Sequence, residues 1–186
     1  MQVCADLWIA LGVIWAAGLM FRKPTQERAA MGQRVVYGIV VILAFWLMFS
    51  GRVPSGWLRE HLYERTQWTD WVGVALTVVG VLLAVWARFR LGRNWSGAVT
   101  VKVGHELIRT GPYHFVRHPI YTGLLLAMLG TGIVRARLFA AIAFALLFAG
   151  FWVKLRTEEQ FMRKTFGREY EDYYQTTGAL VPRFRG

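Results

Sequence analysis

Five apolar runs divide the chain: Val3–Phe21, Val35–Phe49, Trp71–Trp86, Ile120–Val134 and Leu138–Val153. A full membrane crossing takes about 20 apolar residues. The first and third runs reach that length with their flanks, the second is marginal and the last two are short. Only Arg135-Ala136-Arg137 separates the last two, so they predict a tight helical hairpin. Its helices either tilt and snorkel their ends or form a shallow pair. Beyond Val153, the positions Leu155, Glu159, Met162, Phe166, Tyr170 and Tyr173 recur at three- and four-residue steps. That period predicts an amphipathic helix on the cytoplasmic face, ending near Gly178. The fold class that follows is an all-α integral membrane protein with about five transmembrane helices and a cytoplasmic amphipathic C-terminal helix.

Small residues repeat within the runs. Gly73, Thr77 and Gly80 share one face of the third, Gly123, Ala127 and Gly130 one face of the fourth, and Ala141, Ala145 and Ala149 one face of the fifth. Such spacings let helix backbones approach closely in lipid, so these faces predict packing. The connection Arg88–Pro119 carries Gly92, Gly97, Gly104, Gly111 and Pro112. It is too broken for one helix and too long for a mere connector.

Composition agrees with a membrane protein. The chain has 186 residues, is 55% hydrophobic and has a mean hydropathy of +0.35. Its net charge of +11 could suggest nucleic acid, but the positions argue for topology instead. Of the Lys and Arg residues, 17 fall in the first connection, the third connection and the tail, against 5 in the second connection and the hairpin turn. The positive-inside rule then puts the N-terminus outside and the tail in the cytoplasm, with anionic headgroups as the natural partners. Nucleic acid is therefore not expected as a partner. The first run is not expected to be a cleaved leader, since its start carries Asp6 in place of any Lys or Arg and no clear small-x-small cleavage site follows it. A lone cysteine, Cys4, rules out an intrachain disulfide and argues against a thiolate metal site.

Polar chemistry concentrates between the third and fourth runs. Residues 105 to 121 hold His105, His114, His118, Arg109, Arg117, Tyr113 and Tyr121, with Gly111-Pro112 breaking any helix. Polar groups at a bilayer boundary are costly, which favours a site over filler. Glu159 interrupts the apolar stripe of the tail helix, and Glu158 lies beside it; an acid on a buried face needs a partner. Aromatic faces attract organic cations, and backbone N–H groups freed near Gly111, Pro112 and Pro119 could hold a carboxylate. His114 and His118 are four apart, but Pro119 follows at once and no carboxylate is suitably spaced, so no metal is expected. Gly130-Thr131-Gly132 sits inside an apolar run, which excludes a strand–glycine loop–helix dinucleotide fold.

Four elements occur in order: HELI (His105–Ile108), GPY (Gly111–Tyr113), RHPIY followed by Gly (Arg117–Gly123), and a tail with Glu158-Glu159, Phe166-Gly167, Tyr170, Tyr173 and Pro182. With the hairpin between the third and fourth, the stretch from Asn94 to Pro182 resembles the isoprenylcysteine carboxyl methyltransferase and phospholipid methyltransferase superfamily of integral membrane enzymes. The resemblance implies S-adenosyl-L-methionine (AdoMet) as methyl donor and a lipophilic or lipid acceptor, without saying which. It places the donor pocket at His105, Glu106, Leu107, Ile108, Tyr113, His118, Pro119, Ile120 and Tyr121, with Glu158 from the tail. The substrate-contacting cation falls at Lys154 by spacing from Gly167 or at Arg156 by the pattern before the acid pair, with Arg156 preferred. Arg156, Glu158 and Glu159 are the candidate catalytic residues. The whole chain, 1–186, then forms one membrane domain, with N-terminal spans in 1–87 and the methyltransferase-like part in 88–186. A compact chain of this kind is expected in a bacterial inner membrane.

Two other readings compete. Membrane sterol reductases share the C-terminal motif style and use NADPH, but they are longer, with more spans. A non-catalytic lipid-binding or scaffold protein would leave the polar cluster without a purpose.

Overall fold

The computed structural model describes residues 1–18, 25–28, 31–53, 56–92, 100–102 and 107–183. Helices α1 (Gln2–Gly18), α2 (Met31–Phe49), α3 (Gln67–Leu91), α4 (Pro119–Arg135), α5 (Leu138–Phe166) and α6 (Arg168–Thr176) make up most of it. Each of the five apolar runs becomes one helix. The strands β1 (Thr25–Arg28) and β2 (Thr100–Lys102) pair antiparallel in a small ribbon that joins the first and third connections. The apolar pattern does not predict this ribbon, because it lies between the runs.

Among the described residues, α3 and α5 are long and apolar enough to cross a membrane, while α1, α4 and the 35–49 part of α2 are shorter apolar helices. α3 starts at a capping box, in which Thr66 and Thr69 bond each other's backbone N–H groups. Trp68 and Trp71 are exposed near its start, and Trp86 and Phe89 near its end. At a rise of 1.5 Å per residue the two aromatic pairs stand about 27 Å apart, close to the roughly 30 Å of a hydrocarbon core.

The closest packing joins α3 and α4, which run antiparallel. A Cβ added at Gly80 would lie 2.4 Å from the Ala127 nitrogen, and one at Gly130 would lie 2.4 Å from the Gly73 carbonyl oxygen. The predicted small faces of these two helices therefore meet each other with no room for a methyl group. Thr77 and Thr131 sit within that seam, each donating to the carbonyl one turn back, and Trp8 of α1 donates to the Thr131 hydroxyl at 3.0 Å. The fifth run behaves differently. Ala141, Ala145 and Ala149 are not the packed face of α5; Ala141, Ala145 and Ala149 point outward. The helix instead buries Ala140, Ala143, Leu147, Phe151 and Leu155. Ala140 and Ala143 are as small as the outward alanines, so small size alone does not decide which face of α5 packs.

The C-terminal helix also differs from expectation. α5 continues unbroken from Leu138 to Phe166, so the acid pair rides on the fifth helix itself. The break comes at Gly167, whose φ of 53° favours glycine, and α6 then ends at Thr176.

The ends of the helices sort into two layers. Cys4 meets Thr77 and the Gly18 carbonyl accepts from Arg88, so α1 runs parallel to α3. Tyr37 meets Thr157 and Gly150 faces Val40, so α2 runs antiparallel to α5. The second connection covers the hairpin turn: Leu62 N–H donates to the Ala136 carbonyl and Leu138 N–H to that of Glu60. One end of the bundle thus carries the second connection and the hairpin turn, and the opposite end carries the first connection, the third connection and the tail. This is the same partition that the basic residues follow.

Candidate active site

The start of α4 and the last third of α5 converge at the second of these ends. A 3-10 turn at Gly111–His114 leads into α4, where Pro119 occupies the first turn and needs no N–H partner. Pro119 and Ile120 are buried there, which aims His118 and Tyr121 at α5.

Tyr121 donates a 2.6 Å hydrogen bond to Glu158 Oε1. Its ring stacks with two others: Phe151 at 4.7 Å and His118 at 5.5 Å, the latter tilted by only 7°. The His118 imidazole also lies between the two acids, with Nδ1 3.6 Å from Glu158 Oε2 and Nε2 3.3 Å from Glu159 Oε1. Lys154 Nζ stands 5.2 Å from the centre of the Tyr121 ring. Arg156 is exposed on another face of α5, with its guanidinium 5.0 Å from the Trp152 ring centre.

The adjacent acids have separate environments. Glu158 keeps 19% of its side chain open and faces the aromatic stack. Glu159 is 3% exposed and bonded by Arg117, with Nη2 at 2.7 Å and Nε at 2.9 Å. Residue spacing flags Glu159 as an acid needing a partner, and Arg117 is that partner. The sequence places Arg117 in the polar cluster but gives it no role, since the pair is separated by 42 positions.

The tail closes over this end. Arg117 N–H donates to the Gly178 carbonyl at 2.8 Å and His118 N–H to the Ala179 carbonyl at 3.0 Å. Thr122 Oγ1 donates to the Leu180 carbonyl at 2.8 Å. The N–H groups beside Pro119 that the sequence offers to a ligand carboxylate are therefore bound to the chain's own tail. Tyr113 is buried beneath, its hydroxyl 3.4 Å from the Ala87 carbonyl, and its own carbonyl accepts the Tyr173 hydroxyl. Burial pushes the Tyr173 phenol up to about 12, and burial likewise raises Tyr113 and Tyr170, so these tyrosines remain protonated donors. Arg109 pairs with Glu169 of α6. Leu107 and Ile108 are part-buried just before the turn, with Ile108 packed against the core. His105 and Glu106 lie outside the described residues.

Chemically, the cluster offers a face of stacked rings, one partly open carboxylate beside it and one ammonium group above the same ring. A cation can rest against such a face, and an anion can be met from the Lys154 side.

Comparison with known proteins follows the same part of the chain. The phospholipid methyltransferase family matches residues 68–169, which take in α3, α4 and α5 with both acids. A probable protein-S-isoprenylcysteine O-methyltransferase of Oryza sativa subsp. indica is 31% identical over 136 residues, covering 67% of this chain and 71% of that protein. Nickel-cobalt-cadmium resistance protein NccN of Alcaligenes xylosoxydans xylosoxydans is 33% identical over 121 residues, covering 63% of this chain and 55% of that one. The solved structure of a eukaryotic intramembrane Ras methyltransferase, an isoprenylcysteine carboxyl methyltransferase, shares the fold with a TM-score of 0.61 at 22% identity. That likeness covers 83% of this chain and 53% of the solved one, so the chain spans about half its length.

Proposed function

The chain belongs to the phospholipid methyltransferase family and is a methyltransferase, and from that premise we propose that it carries the methyl group of AdoMet to the carboxylate of a prenylcysteine-like acceptor at a membrane face. The observation that carries this reading is the contact of Tyr121 with Glu158 at the polar end of an apolar bundle, with Lys154 over the same ring. Family membership displaces the NADPH-reductase and scaffold readings.

The residues present fit the donor. A sulfonium cation is drawn to aromatic faces, and Phe151, Tyr121 and His118 present stacked rings beside the open carboxylate of Glu158. Leu107, Ile108, Tyr113, His118, Pro119, Ile120 and Tyr121 would hold it, with His105 and Glu106 added by the motif. When bound, AdoMet supplies an electrophilic methyl group on sulfur.

The protein's own work is alignment and exclusion of water. Glu158, fixed by Tyr121, provides negative charge for the donor and holds the ring face in place. A carboxylate acceptor is already a nucleophile and needs no base. It needs a cation to orient it, and Lys154 stands on the site side of α5 whereas Arg156 stands against Trp152. Glu159 is occupied by Arg117 and takes a supporting part. An apolar acceptor tail can approach through lipid along the exposed faces of the bundle.

The five apolar helices are assigned as spans of one membrane unit comprising residues 1–186, with the N-terminus outside and the site in the cytoplasm. The two-layer sorting of connections, the basic residues that follow it and the aromatic spacing on α3 support this placement, with the bacterial inner membrane as the expected setting.

The test is direct. Purified protein is incubated with methyl-labelled AdoMet and, separately, farnesylated N-acetylcysteine and a total phospholipid extract. Label is expected in the prenylcysteine as a base-labile ester. Label in phospholipid amines alone overturns the acceptor.

A further inference from the structure

We infer that Arg117 is a positioning residue that latches the C-terminal tail over the start of α4 and, through Glu159 and His118, sets the shape of the donor site. This rests on the donor reading above.

Every donor side of the guanidinium is engaged. Nε and Nη2 both reach Glu159 Oε1, at 2.9 Å and 2.7 Å. Nη1 donates to the Tyr174 carbonyl at 3.1 Å and to that of Thr177. The side chain is only 6% exposed, so it is not placed to bind an incoming substrate. It joins α5, the end of α6 and the tail to the segment that begins α4.

Further contacts repeat the link. The Tyr174 ring lies 4.0 Å from the Arg117 guanidinium and 4.2 Å from that of Arg163, which itself bonds Glu171. Arg117 and His118 give their N–H groups to Gly178 and Ala179, so the tail follows the α4 entry residue by residue. The carbonyls of Tyr174 and Thr177 lie at the C-terminal end of α6, where such groups lack helical partners and carry partial negative charge. A planar cation with several N–H donors suits them and the acid together, whereas an ammonium group has no comparable fork.

The route to chemistry runs through one oxygen. Glu159 Oε1 meets Arg117 and also His118 Nε2 at 3.3 Å. His118 in turn stacks on Tyr121, which bonds Glu158. Moving Arg117 therefore releases the tail and frees the ring that backs Tyr121.

The experiment separates latching from folding. Replacing a buried ion pair by apolar residues of similar size is often neutral for stability, so R117M/E159M is the main variant, made in a Cys4→Ser background with Leu180→Cys as a reporter. Leu180 packs against the core from the tail. The variant is expected to retain its melting temperature while maleimide labelling at position 180 speeds up about tenfold, reporting local opening. AdoMet affinity by calorimetry is expected to weaken about tenfold, with acceptor KM unchanged. Labelling at the parent rate overturns the latch, and faster labelling with parent AdoMet affinity overturns its link to the donor site. If R117M/E159M does not fold, R117K is read by the same two measurements. If the parent itself binds no AdoMet, the donor reading falls, while labelling at position 180 still decides whether Arg117 holds the tail.

Discussion

Tyr121 on α4 and Glu158 on α5 are joined by a 2.6 Å hydrogen bond, although each sits on its own apolar helix. The bond fixes both the orientation of a ring face and the direction of a carboxylate. Such a pair can distinguish a cationic donor from a neutral one, since the ring and the acid both favour positive charge.

The first prediction follows from that pair. Glu158→Gln keeps the shape and removes the charge, and it is expected to lower kcat/KM by roughly 100-fold, since loss of one charged partner in a water-poor site costs several kcal/mol. Tyr121→Phe removes one bond to a charged group, about 1.5–3 kcal/mol, and should lower kcat/KM by roughly 10- to 100-fold. Both proteins should melt near the parent temperature in detergent. Unchanged methyl transfer in both would remove the pair from the mechanism.

A second prediction separates the two cations of α5. Lys154→Ala should raise the acceptor KM by about tenfold with little effect on AdoMet affinity, because Lys154 lies over the Tyr121 ring. Arg156→Ala should change either constant by less than about twofold, since an exposed cation beside Trp152 contributes little. Initial-rate kinetics with each substrate varied would decide, and the reverse ranking would return the substrate role to Arg156.

Helix positions were legible in the chain because apolar runs and broken connections mark them directly. The seam of Gly73, Thr77 and Gly80 against Gly123, Ala127 and Gly130 was legible for the same reason: small residues at helical spacing leave few other uses. The division of labour between Glu158 and Glu159 was not. Periodicity reports which face of α5 an acid occupies, but the partner that neutralises Glu159 comes from 42 positions earlier. Arg117 becomes visible only when α4 and α5 fold back through the turn at Ala136, whose φ of 52° closes the hairpin. The Ala141, Ala145 and Ala149 series misleads because small residues permit close packing without requiring it.

A third prediction tests the seam. Gly130→Val and Gly80→Val each force a side chain into backbone at under 3 Å. Overpacking of this kind typically costs about 1–3 kcal/mol, and more where backbone must move. Both variants should lose several degrees in thermal unfolding, whereas Gly12→Ala, with open space around it, should melt like the parent. Equal melting of all three would mean that α3 and α4 do not pack as described.

The last prediction concerns sidedness. The hairpin turn and the second connection share one end of the bundle, while Arg88, the acid pair and the tail share the other. If the basic layer faces the cytoplasm, as the positive-inside rule requires, then Glu64 lies outside and Arg168 inside. Both are exposed, so single cysteines there, in a Cys4→Ser background, report access without disturbing the core. In intact cells a membrane-impermeant maleimide should label Glu64→Cys and spare Arg168→Cys until the membrane is opened. The opposite pattern would turn the active site outward, away from cytoplasmic AdoMet, and the proposed reaction could not be supplied with its donor.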